Sequence, residues 1–177
     1  AGAGSTWNSV NALDVGVGGT GTLNVLGGGK ASFTGWGYLG DAALLYASGS
    51  STGLTQAGTG TVNVPGDGSS LTVAALPAGS SGANTGLFVG YKGEGTLSVA
   101  DKGSVDVAGR LVVGGQAKGT LTIADGGVMA VHGSDTNGVG AVFGDVAGNE
   151  GDVTVSGAGS TLVVDAGAQI GNGGSGS

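Results

Sequence analysis

His132 is the only histidine in this 177-residue chain, and there is no cysteine. A zinc centre of the usual kind needs several such ligands, so none is expected. Ser and Asp are plentiful enough for a Ser-His-Asp arrangement, but no nucleophile elbow is present. His132 stands beside Gly133-Ser-Asp135 and reads as a solvated loop residue. Cleavage of acidic polysaccharides needs clustered carboxylates, often with calcium, and Lys or Arg on one face. Arg110 has no basic neighbour to complete such a face, and the calcium-binding Gly-Gly-x-Gly-x-Asp pattern is missing. The chain has 44 glycines, yet none of its Gly-rich stretches carries a P-loop Lys or leads into a helix. Five Lys plus Arg stand against twelve Asp plus Glu, a net charge of −7, which offers phosphate no basic patch. Nucleic acid is therefore not an expected partner. No cofactor, metal or catalytic role is expected.

What positions these residues is a repeat. Between Gly86 and Val131 the sequence says one thing twice at an offset of 24 residues. Leu87-Phe-Val89-Gly90 returns as Leu111-Val-Val113-Gly114, and Gly95-Thr-Leu-Ser-Val99 as Gly119-Thr-Leu-Thr-Ile123. A period of this size marks a solenoid or another stacked array. Each unit holds three short strands with alternating apolar residues. The first strand reads Gly-Thr-Leu-x-Val, with inward pairs Leu23/Val25, Val62/Val64, Leu97/Val99, Leu121/Ile123 and Val153/Val155. The second includes Ala31/Phe33, Leu71/Val73, Val105/Val107, Met129/Val131 and Leu162/Val164. The third includes Leu13/Val15, Gly37/Leu39, Leu87/Val89, Leu111/Val113, Ala141/Phe143 and Ala168/Ile170.

Such strands are too short to stand alone, so the pattern predicts a right-handed parallel β-helix. It would have three strands per coil and five to six coils, about 25–30 Å long at the usual strand spacing. Gly16, Gly40, Gly90, Gly114, Gly144 and Gly171 follow the third strand and mark sharp corners. Asp101 and Asp125 stand where other coils have Gly, which makes them turn residues before functional ones. The chain reads as one domain over 1–177, with inserted loops at 41–59, 74–86 and 132–140. Long loops on a rigid rod are where partners are met and also where insertions are tolerated.

Two outward rows stand out. The first strand presents Thr22, Thr61, Thr96, Thr120 and Asp152 beside Asn24, Asn63, Ser98, Thr122 and Thr154. This flat polar ladder suits a solvated β face first, with a regular hydroxyl array for ice or a glycan as the sharper alternative. The third strand presents Tyr38, Phe88, Val112 and Val142, an apolar stripe that is either covered by neighbouring loops or open to a partner. The insertion at 41–59 adds Leu45 and Tyr46 as further contact candidates.

The blocks Gly-Ala-Gly-Ser-Thr-(Trp/Leu) at 2–7 and 157–162, Gly-Thr-Leu-Thr-Ile with Asp-Gly-Gly at 119–127, and Leu-Val-Val-Gly at 111–114 resemble a known family. It is the Gly-rich β-helix repeat of bacterial autotransporter passengers, associated with surface sorting. The resemblance spans nearly all of the chain outside the insertions. It implies export, with the rod secreted or displayed at the outer membrane, and a non-catalytic role in adhesion or self-association. Partners would be a host or neighbouring-cell surface, a glycan, or another copy of the chain. No run of 18 apolar residues occurs, so this segment is not expected to insert into a membrane. The chain opens in mid-repeat, as expected of a piece of a longer passenger. Competing expectations are a spacer or filament subunit stacking end to end and, further off, a polysaccharide-active enzyme or an ice-binding protein.

Overall fold

In a computed structural model the chain is described over residues 2–47, 50–77 and 85–177, with the side chains of 43–47 and 50–55 outside that description. The described residues form strands and turns, and no helix. The strands stack into three parallel sheets, and the chain visits each sheet once per coil. Sheet 1 stacks Thr20–Asn24, Thr59–Pro65, Glu94–Ala100, Gly119–Ile123, Glu150–Val155 and Ser175–Gly176. Sheet 2 stacks Thr6–Ser9, Lys30–Thr34, Ser70–Ala74, Ser104–Val107, Val128–Val131 and Thr161–Val164. Sheet 3 stacks Leu13–Val17, Trp36–Ala47, Gly86–Val89, Arg110–Val113, Val139–Phe143 and Gly167–Ile170. This is a parallel β-helix of six coils with three strands per coil. Ser175–Gly176 supplies a sixth first strand, pairing with Glu150 and Gly151, that no Gly-Thr-Leu signature announces.

The register follows the 24-residue repeat. Leu97 lies against Leu121, and Val99 against Ile123. In the middle coils the inward residues of all three sheets are buried, among them Phe33, Leu71, Leu87, Leu111 and Met129. Each such side chain contributes about 1.5–3 kcal/mol relative to exposure, which is why a strand with two inward residues persists only inside the stack. The terminal coils leave equivalent positions open: Trp7 is 44% exposed, Val155 45% and Ile170 64%.

The corners behave as the sequence predicts. All six glycines that follow sheet 3 take φ between 69° and 81°, the left-handed region that an L side chain resists. Asp101 and Asp125 take φ of 50° and 51°, confirming them as turn residues. Lys102, at φ 65°, does the same without any sequence signal.

The insertions differ from simple loops. Residues 41–59 form mostly an antiparallel hairpin: Trp36–Ala47 runs out of sheet 3 and Ser50–Ala57 returns beside it, with Ala42 opposite Ala57. An edge left by a long strand is most readily satisfied by a return strand. Of the 74–86 insertion, residues 78–84 lie outside the described residues, but Leu76 packs against Gly35. The third insertion is shorter than expected, because Val139 already belongs to sheet 3. It closes on Asp135, whose carboxylate accepts from the amides of Asn137 at 2.8 Å and Val139 at 2.9 Å. Those backbone bonds, Val139's first, hold the Asp135 carboxyl below its usual pKa.

Candidate functional site

The third-strand outward row forms as a row. Tyr38 is in register with Asp14 and Phe88, and Val112 with Phe88 and Val142. It is not an open stripe, however. Val112 is fully buried, Val142 is 4% exposed and Phe88 6%. The cover comes from the turns that leave sheet 3 and stack on one another. The Tyr91 amide donates to the Gly40 carbonyl at 3.2 Å, Gln116 to Tyr91 at 2.8 Å, and Asp145 to Gly114 at 3.0 Å. This ladder of turns forms a shelf beside the sheet, and Gly115 on it lies close over Val112, its Cβ position 3.5 Å from Val112 Cγ1. Val112 and Val142 thus belong to a small second core, and a partner cannot reach Val112 there. Leu45 and Tyr46 sit in the outer hairpin, where side chains lie outside the described residues.

Where the shelf meets the hairpin side, four aromatic rings gather. Trp36 and Tyr38 stack with centroids 6.2 Å apart, and both meet Phe88, at 5.4 and 5.3 Å. Tyr91 closes the group, 4.7 Å from Tyr38 and 5.4 Å from Phe88. Alternation explains Trp36, Tyr38 and Phe88 on one face; Tyr91 joins them because the corner at Gly90 turns the chain back onto that face. Burial is the main force raising the Tyr38 pKa, with Tyr91, Asp14 and Asp41 adding to it and Arg110 opposing. Burial, then Asp41, likewise raises the Asp14 carboxyl.

The rings floor a cleft of about 380 Å³, whose rim includes Arg110, Gln116 and Asp145. That volume is within the ~300–1,000 Å³ range of small-molecule sites. Arg110 Cζ lies 5.2 Å from the Phe88 centroid, a cation–π placement. Among the described residues its buried Nε has no acceptor and its guanidinium joins no salt bridge. By contrast Asp145 is engaged, accepting from Asn172 Nδ2 at 2.9 Å. Lys92 is shared between the Tyr91 ring, at 4.9 Å, and Asp41, at 3.9 Å. The sequence reading set Arg110 aside for want of a basic neighbour, and missed Trp36 and Tyr91. One signal was present: these four rings are half of the chain's two Trp, three Tyr and three Phe, and they fall in two successive coils.

The polar ladder on sheet 1 is regular. Thr96 is in register with Thr120, and Ser98 with Thr122, all half-buried. Asn63 Nδ2 donates to Asn24 Oδ1 at 2.8 Å, the bonding along the stack that such a face favours. Toward the last coils the row ends in charge, where Lys118 Nζ donates to Glu150 at 2.7 Å and approaches Asp152 at 3.4 Å. The bond to Glu150, then that to Asp152, raises the Lys118 pKa.

His132 is not a free loop residue. Its Nδ1 lies 2.7 Å from Asp165 and its Nε2 3.1 Å from Asp106, on the coils to either side. With both ring nitrogens facing carboxylates, the imidazolium donating twice is the favoured state. The pKa is accordingly raised, first by the Asp165 hydrogen bond and then by Asp106. While protonated on both nitrogens, the ring has no lone pair to serve as a base. The clasp is exposed and screened by salt. Because the folded pKa exceeds the unfolded value of 6.5, its stabilisation is full below that value and disappears as pH rises through the folded one. His132→Gln should therefore lower Tm more at about pH 5.5 than at about pH 8.5, the difference shrinking with added salt. Equal losses at both pH values would show that the charged clasp does not form.

Together the coils and the recess define a β-helix repeat protein with a lateral, aromatic-floored cleft. Comparisons with protein-family models, curated proteins and solved structures returned no match.

Proposed function

We propose that this chain is a rod of a bacterial cell-surface or secreted passenger, acting in adhesion or self-association and not in catalysis. The observation that carries the reading is the cleft: a recessed aromatic floor beside an arginine that is unpaired among the described residues, on the flank of the stack. Aromatic rings and Arg supply most of the energy in recognition surfaces, and a rigid scaffold spares them the cost of ordering. A binding role fits the cleft better than glycoside hydrolysis. Among the described residues Asp145 is the single carboxylate on its lining, whereas that chemistry in most enzymes requires two facing carboxyls.

The test is binding of displayed or bead-coupled protein to cells, with cell–cell sedimentation as the self-association arm. Replacing Trp36 and Tyr91 together by Ala should abolish attachment or clumping by wild type while the protein stays folded. Attachment and clumping that survive this change would overturn the role given to the cleft. A second reading is end-to-end stacking into a spacer or filament, with a further coil lying on the exposed Trp7 and Ile170. The chain's own continuation or a second copy would cover them, and electron microscopy of purified protein for fibres separates the two.

A further inference from the structure

We infer that the cleft over sheet 3 binds a pyranose bearing a carboxylate, a uronic or sialic acid unit of a glycan chain. The inference rests on the adhesive reading and names the ligand of that same site. Arg110 decides the charge. It is the only arginine in a chain of net charge −7, yet among the described residues it forms no salt bridge, although its charge reaches the Asp135 carboxyl and helps to lower it. Its Nε is already sealed from water as the side chain packs on Phe88, and it finds no acceptor among the described residues. A guanidinium held this way can take an anion at its remaining nitrogens, and its plane matches a carboxylate through two parallel hydrogen bonds. A neutral or cationic ligand would leave that pairing unmade.

The floor decides the rest of the ligand. Its rings line a recess and are tilted to one another by 31°, 36°, 42° and 67°, apart from the Trp36–Tyr38 pair at 11°, so they make an uneven bowl and not a slot for a flat molecule. A sugar ring suits a bowl: its C–H face lies on the aromatic rings while its hydroxyls point to the rim. Gln116 offers a donor and an acceptor there, and Asp145 accepts from hydroxyls. With Arg110 and Asp145 both on the rim, a carboxylate is drawn to the first and repelled by the second, which orients the sugar.

The experiment is calorimetric titration of the purified chain with four probes. Sialyllactose and an oligogalacturonate carry the carboxylate; lactose and the carboxyl-reduced oligogalacturonate do not. At least one acidic probe should bind about tenfold or more tighter than its neutral partner, the scale of a charge-assisted hydrogen bond. The acidic probe that binds identifies the source. Arg110→Gln should erase the preference, Arg110→Lys retain part of it, and Trp36→Ala with Tyr91→Ala weaken all binding, with circular dichroism confirming the fold of each. Equal binding of acidic and neutral probes, no binding of any, or a preference that survives Arg110→Gln would each overturn the inference. If cell attachment still depends on Trp36 and Tyr91 in those cases, adhesion through the cleft stands and the ligand is not an acidic sugar.

Discussion

Gly119→Ala is expected to destabilise the chain by about 3 kcal/mol or more, at or above the upper end for overpacking a core, although it adds one methyl group. Gly119 opens a sheet 1 strand and pairs with Gly95 before it and Gly151 after it. Its backbone is not left-handed, so conformational freedom is not the reason for glycine. The reason is proximity. A Cβ there would run into the Val89 carbonyl oxygen and the Gly114 amide, both backbone. The same holds around the stack: Gly60 would strike Val15 and Gly40, Gly95 would strike Leu39 and Gly90, and Gly151 would strike Val113 and Gly144. At this corner the chain leaves sheet 3 and enters sheet 1 against the coil before, and neither partner can rotate away as a side chain could. Gly19→Ala is the control. It is exposed, has nothing within 4 Å of its Cβ position and has no left-handed φ, so Ala there should be neutral or slightly stabilising. Denaturant midpoints measure both. A Gly119→Ala loss within about 0.5 kcal/mol, the scale of an inert surface change, would mean that the coils are not packed this closely.

These glycines show what a sequence discloses and what it withholds. The Gly of Gly-Thr-Leu is visible as a periodic mark, and it placed every sheet 1 strand but the last. Its cause was not visible, because it lies in backbone atoms of another coil. The inward pairs were legible, since alternation and a 24-residue offset fix both facing and register. Coverage was not. Alternation put Phe88 and Val112 on the outer face, but only the turns stacked through Tyr91, Gln116 and Asp145 decide that this face is closed. The cleft was hidden for the same reason: Trp36, Tyr91 and Arg110 come from a strand start, a turn and another strand start in different coils. His132 was legible as the one histidine, but its clasp depends on 132 standing beside 165 and 106 in register. Residues 41–59 read as a loop because they stretch the spacing from Gly40 to Gly60 far beyond that of other coils, whereas hydrogen bonding to a return strand made them a hairpin.

The most telling irregularity in the core is Gly37, and it leads to the second large effect. Its register neighbours on sheet 3 are Leu13 and Leu87. A lone glycine among leucines would leave a hole, but the Phe33 ring fills it from sheet 2. A Cβ on Gly37 would sit 2.5 Å from Phe33 Cζ and 2.9 Å from Leu87 Cδ1. Phe33 itself is fully buried and pairs with the smaller Ser9 and Val73, so its ring reaches past its register neighbours. Phe33→Ala should cost about 3–5 kcal/mol, the range for emptying a buried phenyl site. Gly37→Ala alone should cost about 1–3 kcal/mol, because the ring has no room to retreat. Shrinking one side while filling the other relieves both faults. Phe33→Val combined with Gly37→Ala should therefore lose less than the sum of the single changes, by about 0.5–3 kcal/mol of coupling. Denaturant unfolding of the four proteins closes the cycle. Additivity within about 0.5 kcal/mol would show that ring and glycine do not share one volume, and that the sheets meet in this coil differently from the description above.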